Sequence, residues 1–191
     1  LNLSKFFRLS LNKGTDEFTL EETVEHLTYY IRIQQIRFRG RLQVRMDIAE
    51  NCRSIHIQKL LLQPLVENAL QHGIEKQSNP GELVLAASLV DDAKGSRLMV
   101  TIKDNGAGIS PERMSYIHQE LGKLDTHRDD IYRDMERYTS SPELFGLRNV
   151  KIRLKMVYGN HAELLIDSEE HIGTTVKIFI PVHREGEGKE T

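Results

Sequence analysis

The sequence predicts an α+β fold, a two-layer sandwich in which a mixed, mostly antiparallel sheet carries helices on one face. Three observations predict it. Apolar residues recur at every second position over residues 42–48, and short apolar runs follow at 83–90, 97–104, around Leu164 and Ile166, and over 176–180. Other segments, between and before these, place apolar residues three to four apart, the helical period. Residues 83–104 and 162–181 each join two strands by links short enough for an antiparallel hairpin. Helices packed on one face of such a sheet bury both apolar surfaces at once.

The elements follow in order. Residues 1–11 carry Leu3, Phe6, Phe7 and Leu11 at helical spacing, and Gly14 and Asp16 break the pattern. Thr19 and Glu22 have the spacing of a capping box, in which hydroxyl and carboxylate satisfy the free N–H groups of a helix start. Leu20, Val24, Leu27, Ile31 and Phe38 then mark a long amphipathic helix ending near Gly40, its stripe packing on another surface such as the same helix of a second chain. The strand 42–48 alternates Leu42, Val44, Met46 and Ile48 with polar residues. A helical stretch covers residues 57–72, and Pro64 belongs in its first turn or at a break because interior proline costs about 3 kcal/mol. The hairpin 83–104 turns through Asp92 and Gly95, and Pro111 opens a short helix. Residues 120–143 are strongly polar, with His127, Arg128, Asp129, Asp130, Arg133, Asp134, Glu136 and Arg137, and read as a mobile lid. Leu147, Val150, Leu154 and Val157 mark a last helix capped by Gly159, then come strands at Leu164–Ile166 and Val176–Ile180, the latter ended by Pro181. The tail 184–191 is charged and glycine-rich, and is expected to be frayed.

Bulk properties narrow the function. Hydrophobic residues make up 39% and charged residues 28% of 191, a globular composition. A net charge of −2 gives no electrostatic support for nucleic-acid binding. The lone Cys52 cannot form an internal disulfide and favours a reducing compartment, and no apolar run approaches the ~20 residues of a bilayer span. The chain begins at Leu1 within a helical pattern, which reads as a fragment of a longer protein.

Four segments carry candidate chemistry. Asp104-Asn105-Gly106-Ala107-Gly108-Ile109 follows a strand. A carboxylate there can accept a hydrogen bond from an exocyclic amine, and Gly106 and Gly108 let backbone approach a flat ligand, although Asp-Asn-Gly is equally good turn chemistry. Asn68 and His72, four apart in Gln63-Pro64-Leu65-Val66-Glu67-Asn68-Ala69-Leu70-Gln71-His72-Gly73, share a helix face with Leu61 and Leu65. A polar amide on that stripe needs a partner, either backbone or a hydrated magnesium ion bridging phosphates. His72 read alone is a helix C-terminal histidine near the dipole. Phe145-Gly146-Leu147-Arg148-Asn149-Val150 sets a glycine at an expected helix start, where free N–H groups suit phosphate. Gly173-Thr174-Thr175-Val176 is a turn into the last strand.

In this order the four segments resemble the N, G1, G2 and G3 boxes of the gyrase/Hsp90/histidine kinase/MutL ATPase superfamily, over residues 42 to about 181. The resemblance implies the Bergerat fold and a site for ATP and Mg2+. It implies that Asn68 binds magnesium, that Asp104 reads adenine, and that Gly106 and Gly108 lie beneath the nucleotide. Gly146, Leu147, Arg148 and Thr174 match the later boxes, with His72 beside Asn68 in the first. The flanks, Leu61-Leu62-Gln63-Pro64 with His72-Gly73, Arg153-Leu154, Tyr158-Gly159, and the helix carrying residues 30–38, are similar to sensor histidine kinases whose phosphohistidine lies in an Asn-Pro-His-Phe box. No such box occurs in this sequence, and His26 does not occupy one.

What the family does is then expected of the parent protein. The γ-phosphoryl of ATP passes to a histidine on a helix outside this chain and on to a response regulator receiver domain. A homodimer and a cytoplasmic location within a membrane-anchored sensor are also expected. Residues 1–40 would be the C-terminal part of the helical dimerisation and phosphotransfer region, 41–183 the ATP-binding catalytic domain, and 184–191 a flexible tail. Two departures keep alternatives open. Pro64 stands where hydrolytic members have a glutamate base, which disfavours an ATP-hydrolysing enzyme. Leu144 stands where the second glycine box has glycine, which with the long polar stretch leaves room for a non-catalytic docking module.

Overall fold

The computed structural model describes residues 16–124 and 142–182. Its elements, in chain order, are β1 (Glu17–Thr19), α1 (Leu20–Arg37), β2 (Leu42–Ile48), β3 (His56–Gln58), α2 (Gln63–Asn68), β4 (Gly81–Asp92), β5 (Gly95–Asp104), α3 (Pro111–Lys123), α4 (Pro142–Tyr158), β6 (Glu163–Glu169) and β7 (Gly173–Pro181). The helical pattern of residues 1–11, the part of the polar stretch from 125 to 141, and the tail 184–191 lie outside the described residues.

A five-stranded sheet in the order β2-β4-β5-β7-β6 forms one layer. β2 pairs parallel to β4 because α2 and its flanking turns carry the chain across between them. The other three pairings are antiparallel, two of them the hairpins β4–β5 and β6–β7 that the short links predict. Alternation decides which face meets the helices. Leu83, Leu85 and Ala87 of β4, Leu98, Val100 and Ile102 of β5, and Val176, Ile178 and Ile180 of β7 are buried, while Glu82, Lys103 and Lys177 on the other face are exposed. Against the buried face pack Leu27 and Ile31 of α1, Leu65 and Val66 of α2, and Leu144, Val150 and Leu154 of α4. Among the described residues no helix is long and apolar enough to cross a membrane.

The capping box is present as its spacing predicts. The Thr19 hydroxyl accepts from the Glu22 N–H at 3.2 Å, and the Glu22 carboxylate accepts from the Thr19 N–H at 2.9 Å. The surface on which that helix packs, left open by the sequence, is within the chain. The stripe Leu20, Leu27, Ile31 and Phe38 is buried and belongs to the chain's own core cluster. The expected helix over 57–72 is shorter. Residues 56–58 are the strand β3, paired with β1, and the Gln58 N–H donates to the Tyr158 hydroxyl at 2.8 Å. Backbone committed to that ladder cannot enter a helix, so α2 starts only at Gln63, with Pro64 in its first turn where a missing N–H costs nothing. The sequence pattern gave no sign of β1 and β3, because three residues are too few to show a period.

Candidate functional site

The end of β5 builds the centre of the site. Asp104 is 4% exposed, and its carboxylate Oδ1 accepts the Gly106 N–H at 2.8 Å. The segment after α2 is pressed against it. The Ala107 N–H donates to the Gly73 carbonyl at 3.0 Å, and a Cβ on Gly106 would lie 2.2 Å from the Gly73 carbonyl carbon. Such a contact is with backbone and has no easy relief. Gly106→Ala is therefore expected to lower stability by about 3 kcal/mol through overpacking. Gly122→Ala, where an added Cβ meets nothing within 4 Å, is the control expected to hold or gain stability, both read from urea midpoints. At Gly108 both conformation and space demand glycine. Its φ is +65°, and a Cβ would lie 1.9 Å from the Glu169 carbonyl oxygen.

The second wall comes from α2 and the turns that continue it. Residues Ala69–Gly73 form a π-helical turn, and Ile74–Lys76 a 3-10 turn. A π turn inside a helix is uncommon and is found mostly at functional sites. Asn68 immediately precedes the π turn and His72 lies within it, so they do not repeat on an ideal α-helical face, yet both line the same cleft. The third wall is α4. Gly146 does not stand at its start, as the motif alone suggested, but inside it. The amides of Gly146, Leu147 and Arg148 lie more than one turn into the helix as it is described from Pro142. Gly146 instead permits close packing, since a Cβ there would come 2.9 Å from the Asn68 Oδ1. Leu144 is fully buried in the core, which explains an aliphatic residue at that position.

These walls enclose a cleft of about 250 Å³. Of the residues singled out from sequence, Asn68, His72, Asp104, Gly108, Leu147 and Thr174 line it. Gly106 lies beneath the Asp104 loop, Gly146 lies against Asn68, and Arg148 is buried, 6% exposed; none of the three lines the cleft. Sequence reasoning missed most of the apolar lining, Leu65, Ile102, Ile109, Ile117, Ile166 and Val176, because nothing in an amphipathic period separates a core position from a cleft position. It also missed the charged residues Lys76, Arg113 and Glu170 at the cleft. The His72-Gly73 pair was legible, but the service of Gly73 to Asp104 was not: a Cβ there would sit 2.6 Å from Oδ1.

Burial dominates the electrostatics. It pushes the Asp104 carboxyl up to about 6, against the opposing pull of the Gly106 and Thr174 backbone hydrogen bonds. Those two bonds leave acceptor capacity on an ionised carboxylate, which has about four lone-pair sites. The cleft therefore offers a strong, dry acceptor among aliphatic walls, with an amide oxygen at Asn68. Among the described residues no group of three or more His, Cys, Asp or Glu could hold a metal ion. A cation here would need oxygens from a ligand, and the Asn68 amide oxygen is a hard donor suited to magnesium on those terms.

The comparisons with known proteins agree with that geometry. The sequence profile of the histidine kinase-, DNA gyrase B- and HSP90-like ATPase family matches residues 52–184, and that of the histidine kinase family matches residues 1–42. Sensor protein kinase HptS of Staphylococcus aureus (strain bovine RF122 / ET3-1) is 30% identical over 182 residues, 95% of this chain and 31% of the relative. The same-named protein of strain USA300 matches to the same extent. The chain thus spans about a third of the length of the curated relatives it matches. The histidine kinase domain of the blue-light activated histidine kinase of Erythrobacter litoralis EL346 superposes with a TM-score of 0.53 at 20% identity, covering 94% of this chain and 71% of that one. The nucleotide-free catalytic domain of histidine kinase ThkA gives 0.53 at 13% identity, covering 86% and 93%. At such identities the likeness is one of fold.

Proposed function

Because the chain belongs to the histidine kinase-, DNA gyrase B- and HSP90-like ATPase family, we propose that it is the ATP-binding catalytic domain of a sensor histidine kinase, a protein-histidine kinase acting on a histidine outside these residues. The observation that carries this reading is the buried Asp104 carboxylate in an aliphatic cleft that also holds Asn68. In the proposal Asp104 accepts the exocyclic amine of adenine, and Ile102, Ile109, Ile117 and Val176 exclude water from the flat base. Thr174 acts through its N–H, which holds the carboxylate in place. The phosphates extend toward Asn68 and the start of α4, where Asn68 contributes one oxygen to a magnesium ion. Bound magnesium supplies charge neutralisation on the phosphate oxygens.

Transfer rather than hydrolysis is favoured by Pro64, which stands one turn before Asn68 and has no basic group to deprotonate water. For the whole protein the proposal extends to a homodimer, a response regulator that receives the phosphoryl group on an aspartate, and a membrane anchor. A calorimetric titration with ATP, with and without magnesium, followed by incubation with the protein's own acceptor segment, tests the reading. Magnesium-dependent binding and acid-labile phosphohistidine on that segment are expected. No binding at millimolar ATP by folded protein would leave a docking module instead, and phosphate release without an acceptor would indicate an ATP-hydrolysing enzyme.

A further inference from the structure

We propose that Lys76 is a contact for the base end of the nucleotide, outside the four sequence boxes; this rests on the adenine-nucleotide reading of the cleft. Asn68, His72, Gly73 and Lys76 all line the cleft, so the segment that carries them runs along it. Two packing contacts orient that segment. Asn68 abuts Gly146, and Gly73 abuts the Asp104 carboxylate. Lys76 comes three residues after Gly73, and Gln77, which follows it, bonds to Asn105 next to Asp104. A ligand whose amine meets Asp104 and whose phosphates meet Asn68 therefore presents its base, not its phosphates, to Lys76.

The turn bearing Lys76 is fixed to the same platform as Asp104. Ile74 is 2% exposed and packs beneath Gly81, where a Cβ would come 2.1 Å from its Cγ2. Gln77, the residue after Lys76, donates from Nε2 to the Asn105 Oδ1 at 3.3 Å. That oxygen also accepts the Glu82 N–H at 2.7 Å, and Asn105 Nδ2 donates to the Pro80 carbonyl at 3.1 Å. Asn105, the residue next to Asp104, thus ties the chain that follows Lys76's turn to the end of β5. An ammonium is a donor only, and an adenine offers it ring nitrogens and a π face. The other cation at the cleft, Arg113, has its guanidinium 5.0 Å from the Tyr116 ring centroid on α3.

The test is a calorimetric comparison of adenosine, ADP and ATP binding to the wild type, Lys76→Ala and Lys76→Arg. Lys76 is exposed, so the variants are expected to unfold with wild-type midpoints. A base contact predicts that Lys76→Ala weakens all three ligands by one common factor, about fivefold to tenfold, and that Lys76→Arg restores most of it. A loss that grows from adenosine to ATP would make Lys76 a phosphate ligand and overturn the proposal, as would no loss at all. Wild-type protein that binds none of the three would overturn the nucleotide reading and this inference with it, an outcome separate from an unaffected variant.

Discussion

Asp104→Asn is expected to weaken ATP binding by on the order of 100-fold and, at pH 7.5, to raise the thermal midpoint of the free protein. Both effects come from one carboxylate. Ionised Asp104 is the buried acceptor for the base amine, and a hydrogen bond to a charged group is worth about 1.5–3 kcal/mol. An asparagine keeps an oxygen for the Gly106 N–H but turns an NH2 toward the ligand's amine, donor against donor. The stability effect follows from burial, which raises the carboxyl from 3.8 to about 6 in the folded state. Between those values the folded chain holds a proton that the unfolded chain has lost, so stability falls as pH rises through that window. Above about pH 6 the penalty is constant and amounts to at most about 3 kcal/mol. The amide is never ionised and escapes it. The midpoint difference between variant and wild type should therefore be largest above pH 6 and shrink toward pH 4, read by calorimetric melts at both ends. Wild-type nucleotide affinity should also fall as pH drops through about 6, when the acceptor becomes protonated. A variant that binds as well as wild type would remove Asp104 from the base site, and a pH-independent midpoint difference would refute the cause assigned to its stability.

Asn68→Ala should separate the two ends of the ligand. Adenosine affinity is expected to stay within about twofold, because the base is held at Asp104 and not at Asn68. Magnesium should no longer strengthen ATP binding, and phosphoryl transfer to the acceptor segment should fall by 100-fold or more, the scale of removing one charge-stabilising contact from a transition state. Stability should drop by only about 1 kcal/mol for a lost half-buried polar contact. Rates with and without magnesium, and with chelator, check this. Retained magnesium dependence in the variant would move the metal-binding role to another residue.

Most of the sheet and the last two helices were legible in the sequence because their signals are local. Leu42, Val44, Met46 and Ile48 alternate, and β2 has those bounds. Thr19 and Glu22 cap α1, and Pro111 opens α3 behind the N-cap Ser110. Asp104, Asn68, Gly108, His72, Leu147 and Thr174 were legible as a motif order, and they converge on one cleft. What escaped was set by contacts between segments distant in the chain. β3 is a strand only because β1 pairs with it, about 40 residues away along the sequence. The stripe of α1 could serve a dimer contact or the chain's own core, and its residues are buried in the latter. Gly146 has the composition of a helix start but lies inside α4, against Asn68.

The sequence by itself determined the types of the longer elements, the mixed sheet with its two hairpins, and the motif order that singles out the candidate site residues, since periodicity, capping and turn chemistry act over a few neighbouring residues. Only the tertiary structure decided how those residues serve. Gly106 and Gly73 interlock to hold the Asp104 loop, burial raises the carboxyl to about 6, and Asn105 joins the Lys76 turn to it. Each depends on distances of a few ångströms between segments whose separation along the chain carries no information about their approach.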